Sequence, residues 1–119
     1  MKKLERQKNL SSPVRVLQFG EGNFLRAFID WMIQKMNQKC NFNTAVQLVQ
    51  PIEQGMADMI NSQDGLYTLV LRGVENNQVI SESEIIECVK GCLNPKTQWN
   101  EVINSFVSKD LRFIFSNAI

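Results

Sequence analysis

The feature that most constrains this chain is a pair of glycines placed between an apolar strand and a long amphipathic helix. Residues 14–19, Val-Arg-Val-Leu-Gln-Phe, are mostly apolar or β-branched, which predicts a buried strand. Residues 20–22, Gly-Glu-Gly, break that strand, and Asn23 is suited to cap a helix expected over about 24–39. Residues 44–50 predict a second strand. This order predicts a right-handed βαβ unit with parallel strands.

The middle of the chain predicts further short elements. A short helix is expected within 53–62 and a strand over 66–72. Asn76-Asn77 favours a turn, so the chain is expected to return as a hairpin at 79–80. Residues 81–93 fit a strand and a helix equally well.

The end of the chain predicts one more helix and one more strand. Asn94-Pro95 is typical of a helix cap followed by proline at the first helical position, which predicts a helix over 96–108. Its inward side chains are expected to be Trp99, Val102, Ile103 and Phe106. Residues 111–115 predict a final buried strand. The expected class is α/β, a Rossmann-like, mainly parallel sheet with flanking helices.

The helix expected at 24–39 carries a wide apolar stripe, which predicts packing against the sheet. The stripe is formed by Phe24, Leu25, Phe28, Ile29, Trp31, Met32, Ile33 and Met36. Because the last predicted strand ends almost where the chain ends, and parallel strands need covering helices, we expect the domain to be truncated. Residues 1–13 are expected to form a polar N-terminal arm, and 14–119 part of the domain.

Composition argues against several classes of function. Net charge is +1 with acids and bases mixed, which gives no footprint for nucleic acid, and no apolar run is long enough to cross a membrane. Cys40, Cys88 and Cys92 are irregularly spaced, so no disulfide framework is expected. Cys88 and Cys92 are spaced to face each other on a helix, but the chain lacks histidine and we predict no metal site. Free thiols favour a reducing cytoplasm.

Gly20 and Gly22 are the residues whose pattern suggests chemistry. The first glycine permits a tight turn, and the second lets the backbone approach a pyrophosphate beside the free N–H groups of a helix start. The usual fingerprint has a third glycine, where this chain has Leu25. Spacing alone leaves two interpretations open, a dinucleotide site and a glycine turn in an α/β domain that binds no nucleotide.

The residues after the second predicted strand favour NAD over NADP. The strand ends at Gln50, so the acidic residue that usually binds the ribose hydroxyls is absent. Glu53 and Asp58 follow it, and no lysine or arginine lies between Lys39 and Arg72. We therefore expect the 2′-phosphate of NADP to find no cation on this loop.

Residues 17–31, Leu-Gln-Phe-Gly-Glu-Gly-Asn-Phe-Leu-Arg-Ala-Phe-Ile-Asp-Trp, resemble the opening of the tagaturonate reductase (altronate oxidoreductase) branch of the mannitol dehydrogenase family. The wider family shows Gly-x-Gly-x-Phe-x-Arg at this point and also lacks the third glycine. Residues 49–52, 63–69 with the following Arg-Gly, and 111–117 resemble later family segments. Where the family continues from Ser-Asn into Thr-Thr-Glu-Ala-Gly, this chain reads Asn117-Ala118-Ile119, which departs from the nicotinamide end of the family's site.

The resemblance implies an NAD-dependent oxidoreductase that interconverts tagaturonate and altronate, a sugar-acid pair, by hydride transfer in hexuronate catabolism. It implies an NAD-binding segment made of Leu17, Gln18, Phe19, Gly20, Glu21, Gly22, Asn23, Phe24, Leu25, Arg26, Ala27 and Phe28. Gly20 to Leu25 would contact the pyrophosphate through their backbone, and Glu21 is expected to face solvent. Arg26 is expected either to pair with a phosphate or brace the loop, or to be a surface cation.

The family's catalytic lysine, asparagine and histidine lie in a downstream helical domain, so no catalytic residue is predicted in this chain and the chain alone is expected to be inactive. Two alternatives stay open at this point. One is a stand-alone nucleotide-binding or sensing α/β module, and the other is an α/β interaction domain that binds no nucleotide.

Overall fold

A computed structural model describes residues 3–8 and 10–116. The elements in chain order are β1 (Val14–Phe19), α1 (Asn23–Cys40), β2 (Ala45–Val49), α2 (Ala57–Ser62), β3 (Tyr67–Glu75), β4 (Gln78–Ile86), β5 (Val89–Leu93), α3 (Pro95–Val107) and β6 (Phe113–Ser116). The departure from the family pattern at Asn117-Ala118-Ile119 lies outside the described residues.

Four strands form a parallel sheet in the order β5-β2-β1-β6. Phe19 at the end of β1 stands opposite Val49 of β2 and Ser116 of β6, so the carboxyl ends of these strands meet at one edge. The parallel pairing of β1 with β2 confirms the predicted βαβ unit. The expected α/β class, a Rossmann-like parallel sheet with flanking helices, is also confirmed.

Helices cover both faces of the sheet. Successive strand residues point to opposite sides, so neighbouring residues of β1 pack in two different apolar clusters. Val16 belongs to the larger apolar cluster with Ile33 of α1. Leu17, its neighbour, packs in the smaller cluster with Val102 of α3. All five residues of β2 are buried, as a central parallel strand requires.

The strands β3 and β4 form an antiparallel hairpin separate from the parallel sheet. Asn76 and Asn77 both adopt left-handed backbone conformations, with φ of 53° and 62°, which confirms the predicted turn. The amide of Gln34 ties the hairpin to α1 by bonding Ile85 O at 2.9 Å and the N–H of Glu87. The region 81–93, ambiguous in sequence, consists of the end of β4 and all of β5.

The outer edge of β5 is bonded by side chains. The amide of Asn61 accepts from Cys92 N and donates to Cys92 O, both at 2.8 Å. Arg6, in the predicted polar arm, donates to Val89 O at 2.8 Å and to Glu87 O at 2.9 Å. The arm is thus attached to the sheet at Arg6.

The predicted apolar stripe of α1 is partly wrong. Phe24 is 61% exposed and Phe28 and Met36 are also exposed, whereas Leu25 and Ile33 are buried as expected. The buried face also contains two polar residues, Asp30 and Gln34. They are tolerated there because each bonds a neighbouring element, as buried polar groups require.

The start of α1 and the buried face of α3 also differ from the predictions, whereas the predicted cap of α3 is confirmed. Asn23 does not cap α1; the helix begins at Asn23 itself, with Gly22 in the cap position and no side-chain cap. Asn94 does cap α3, accepting from Lys96 N at 3.1 Å. Of the four inward residues predicted in α3, only Val102 is buried, because the helix covers a narrow strip of the sheet.

The last strand and the cysteines correct two further predictions. Phe113 and Ile114 are about half exposed in β6, which was expected to be buried, because among the described strands β6 pairs only with β1. Cys88 precedes β5 and Cys92 lies within it, so they do not share a helix; both are buried free thiols. Within the described residues, no helix has the length and apolar character to cross a membrane.

Candidate functional site

The loop after β1 begins with a glycine that the backbone requires. Gly20 has a φ of +140°, a conformation that side chains other than glycine rarely adopt. Its N–H donates to Val49 O at 3.0 Å, which fixes the start of the loop to β2. The chain therefore turns sharply at the carboxyl edge of the sheet, in the position expected of a phosphate-binding loop.

Gly22 stands in a different situation. Its φ of −73° and ψ of 171° are available to any residue, and a Cβ built on it would meet nothing within 4 Å. Neither strain nor packing inside the described chain demands a glycine there. Open space in front of Gly22 is what a bulky ligand at this backbone would need.

The start of α1 is left free to receive that ligand. The helix has Gly22 at its cap position, and no side chain at that position accepts a hydrogen bond from its first backbone N–H groups. The first N–H groups of a helix lack acceptors within it, and the aligned peptide dipoles place positive potential there. Free donors, positive potential and open space fit the pyrophosphate of a dinucleotide.

The side chains of the predicted NAD-binding segment divide between core and surface. Those buried are Leu17, Gln18, Gly20, Glu21 and Leu25. Those half-buried are Phe19 and Arg26, and those exposed are Gly22, Asn23, Phe24, Ala27 and Phe28. The structure thus brings the backbone of 22–24 to the surface at the helix start, while the side chains of Leu17 and Gln18 lie below it.

Glu21 does not point to solvent as expected. It is only 8% exposed, and its Oε2 atom is buried without a hydrogen-bond partner among the described residues. The prediction that Glu21 faces solvent is therefore wrong, because its side chain turns inward from the loop.

Arg26 braces the first turn of α1. Its Nη2 donates to Asn23 Oδ1 at 3.0 Å, and its guanidinium lies 4.9 Å from the centre of the Tyr67 ring. The Tyr67 hydroxyl donates to Arg26 O at 2.6 Å. These contacts favour the bracing role over a free surface cation. No local pattern predicted this role of Tyr67, whose partner is forty-one residues away.

A buried polar pair lies beneath the glycine loop. Gln18 Nε2 donates to Gly20 O at 3.1 Å and to Asp30 Oδ2 at 3.4 Å, and Cys88 Sγ donates to Asp30 O at 3.3 Å. Asp30 is fully buried, and this desolvation raises its pKa to about 7 despite the hydrogen bond from Gln18 and the charge of Arg26. Burial likewise raises the pKa of Cys88.

The loop after β2 is built differently. Gln50 is buried, and its Oε1 accepts from Ala57 N at 3.0 Å while its Nε2 donates to Glu53 O at 2.9 Å. Its side chain therefore accepts from the first N–H of α2, whose cap position is held by Met56 without a side-chain cap bond. The expectation that no cation serves this loop is wrong, because Lys96 reaches it from α3 and forms an ion pair with Glu53.

Comparison with known sequences identifies what the chain is similar to. The family model described as the mannitol dehydrogenase Rossmann domain matches residues 14–115. An altronate oxidoreductase of Bacteroides thetaiotaomicron is 47% identical over 106 residues, which is 89% of this chain and 22% of that protein. The altronate oxidoreductase of Halalkalibacterium halodurans is 45% identical over 114 residues, 95% of this chain and 22% of that protein. The chain thus spans about a fifth of the length of these relatives.

Solved structures show the same fold. A mannitol 2-dehydrogenase of Pseudomonas fluorescens, in a ternary complex with NAD and D-mannitol, superposes with a TM-score of 0.76 at 19% identity. That match covers 96% of this chain and 23% of the other. A substrate-free D-sorbitol dehydrogenase gives a TM-score of 0.74 at 18% identity over 96% of this chain and 24% of its own.

Proposed function

Because this chain belongs to the mannitol dehydrogenase family through its Rossmann domain, we propose that it is the NAD-binding part of an oxidoreductase. The observation that carries the proposal is the uncapped start of α1 behind Gly22, at the carboxyl edge of a parallel sheet of Rossmann order. Dinucleotides bind at this edge in such folds, with the pyrophosphate at the helix start. A solved relative of the same fold holds NAD.

In this proposal the twelve residues from Leu17 to Phe28 form the NAD-binding segment in two layers. The backbone of 22–24 binds the pyrophosphate through N–H groups that the helix itself does not use. Gln18 and Arg26 hold the loop and the first helical turn in place from below and from the side. A loop already fixed before binding loses less conformational freedom when the ligand arrives.

The finer proposal concerns the substrate. The relatives that are 38–47% identical are named altronate oxidoreductase, which favours reversible reduction of the ketone of tagaturonate to the alcohol of altronate. Bound NADH would supply the hydride for the carbonyl carbon, with oxidation to NAD, and a proton donor would complete the new hydroxyl. The reducing cytoplasm expected from the free thiols belongs to the same proposal.

We assign no acid or base of this reaction to the described residues. The chain has no histidine, and Lys96, which reaches the loop after β2, is engaged with Glu53. Hydride transfer needs a substrate held in close alignment and a suitable proton donor. We therefore expect the chain to bind NADH without oxidising it in the presence of tagaturonate.

Isothermal titration of the purified chain with NADH and with NAD tests the proposal, and the absorbance of NADH with tagaturonate added tests turnover. Saturable binding without turnover is the expected result. Absence of binding to either nucleotide contradicts the NAD-binding role. Steady, tagaturonate-dependent oxidation of NADH would instead place the proton donor within these 119 residues.

A further inference from the structure

We propose that the Glu53–Lys96 ion pair sets the preference for NAD over NADP, with Lys96 a latent 2′-phosphate-binding cation that Glu53 neutralises. This inference rests on the proposed NAD-binding function and deepens it. It assigns the choice of cofactor to one side chain from the loop after β2 and one from the first turn of α3, rather than to the acidic residue that usually ends the second strand.

The pair lies where the adenosine ribose is expected. Gln50 N donates to Leu93 O at 2.8 Å, so the carboxyl ends of β2 and β5 are held side by side. Glu53 follows β2, and Lys96 stands in the first turn of α3, where its N–H donates to the capping Asn94 at 3.1 Å. In Rossmann folds the ribose hydroxyls are bound at the end of the second strand.

The residue usually responsible is not free to act. Gln50 uses its Oε1 on Ala57 N and its Nε2 on Glu53 O, so its side chain is committed to the loop. The second of these bonds also fixes the backbone of Glu53 beside the strand end. Glu53 is then the first carboxylate in sequence after β2, with its main chain held by this bond and its side chain paired with Lys96.

The charges of the pair explain the preference. Lys96 and Glu53 are 65% and 69% exposed, so both side chains reach solvent where a ligand would lie. Paired, they present no net charge, and the carboxylate repels a phosphate brought near it. Without the carboxylate, the lysine would favour a 2′-phosphate.

The test compares NADPH and NADH binding by the full chain and by Glu53→Gln, using fluorescence titration at low ionic strength. We expect the ratio of NADPH to NADH affinity to rise roughly tenfold, which is about 1.4 kcal/mol. NADH affinity is expected to change by less than about threefold. The gain should shrink in high salt, because exposed charges are screened.

Two control variants separate charge removal from release of the lysine. Asp58→Asn removes one negative charge from the first turn of α2 and leaves the Glu53–Lys96 pair intact, so we expect a ratio change below about twofold. The double variant Glu53→Gln/Lys96→Met is expected to return the ratio to that of the parent. A gain that persists in the double variant overturns the role of Lys96.

The outcomes also separate this inference from the proposed function. If the parent chain binds NADH but Glu53→Gln leaves the cofactor ratio unchanged, the ion pair does not set the preference and the NAD-binding role stands. If the parent binds neither cofactor, the proposed function fails and this inference fails with it.

Discussion

The loops after β1 and β2 leave the same edge of the sheet, and each leads into a helix, yet their helix starts are treated in opposite ways. The start of α1 has no side-chain cap, whereas Gln50 accepts from Ala57 N at 3.0 Å and closes the start of α2. A helix start that is exposed to a ligand and one that is satisfied internally thus lie side by side. This difference is what the proposed pyrophosphate site at the start of α1 requires.

A glycine supports each loop for a different reason. A Cβ on Gly22 would meet nothing within 4 Å, so this glycine leaves room for something outside the chain. A Cβ on Gly55 would lie 2.4 Å from Gln50 Cδ, so this glycine makes room for the Gln50 side chain itself. The presence of a glycine therefore does not show whether a loop is open to a ligand. The atoms around the glycine show whether the space beside it is empty or filled by the chain itself.

The largest expected effect is a pH dependence of the free energy of unfolding that arises beneath the first loop and not beneath the second. The carboxyl of Asp30 lies under the first loop and has its pKa raised to about 7 by burial, whereas the second loop is held by the neutral amide of Gln50. The folded state keeps a proton that the unfolded chain loses near pH 4, so the free energy of unfolding should fall as pH rises from about 4 to 7.

The total fall is at most about 4 kcal/mol, and Asp30→Asn should abolish most of this pH dependence. Urea unfolding of parent and variant across this pH range measures it. An unchanged slope in Asp30→Asn would assign the titration to another group. Asp58→Asn, at an exposed position, is the matched control and should keep the parent's slope.

The second largest effect is expected from a substitution in the loop after β1. Gly22→Val should weaken NADH binding by about a hundredfold, about 3 kcal/mol, because its side chain would occupy the space for the pyrophosphate. Its φ of −73° suits valine, so the melting temperature should hardly change. Gly73→Val, in the hairpin and equally free of neighbours, is the control. Equal NADH affinity in Gly22→Val and the parent would count against the site.

The third effect is expected from a substitution in the loop after β2. Gln50→Ala removes the acceptor for the first N–H of α2 and should cost about 1–2 kcal/mol in the free energy of unfolding, measured by denaturant titration. NADH affinity should change by less than about twofold, since the side chain is engaged within its own loop. Gln54→Ala, exposed in the same loop, should change neither quantity. A large loss of affinity in Gln50→Ala would show that this loop is not self-contained.

The smallest effect is expected at Tyr67, which contacts Arg26 in the first turn of α1. Tyr67→Phe removes the hydroxyl that donates to Arg26 O at 2.6 Å and should cost about 1 kcal/mol of stability. NADH affinity should fall by less than about threefold, because the ring still packs under the guanidinium. Thermal unfolding and NADH titration of the variant measure the two quantities. Stability equal to that of the parent would argue against the brace.

Much of the parallel sheet was predictable because local signals agree there. The strand residues 14–19, the glycines at 20–22 and the cap at Asn94 each carry their own signal, and the structure confirms those strand, turn and cap positions. The predicted faces of α1 failed, since apolar periodicity cannot foresee that Asp30 and Gln34 are buried with distant partners.

The candidate site was also predictable only where a local sequence pattern marks it. The glycine spacing located the open helix start, but the polar groups around it were missed or misplaced. The inward turn of Glu21, the Tyr67 brace and the approach of Lys96 to the loop of Glu53 all depend on contacts between distant parts of the chain. Such contacts follow from the assembled fold and leave no local pattern in the sequence.

The Asn61 amide also bears on how this protein behaves in concentrated solution. Exposed strand edges recruit strands from other molecules, which is the usual route to amyloid-like association. Here the amide occupies both the N–H and the C=O of Cys92, and Arg6 occupies Val89 O, so those groups of β5 are closed to a foreign strand. The side chain of Asn61 thus leaves the backbone of Cys92 without free groups for pairing with a strand of another molecule.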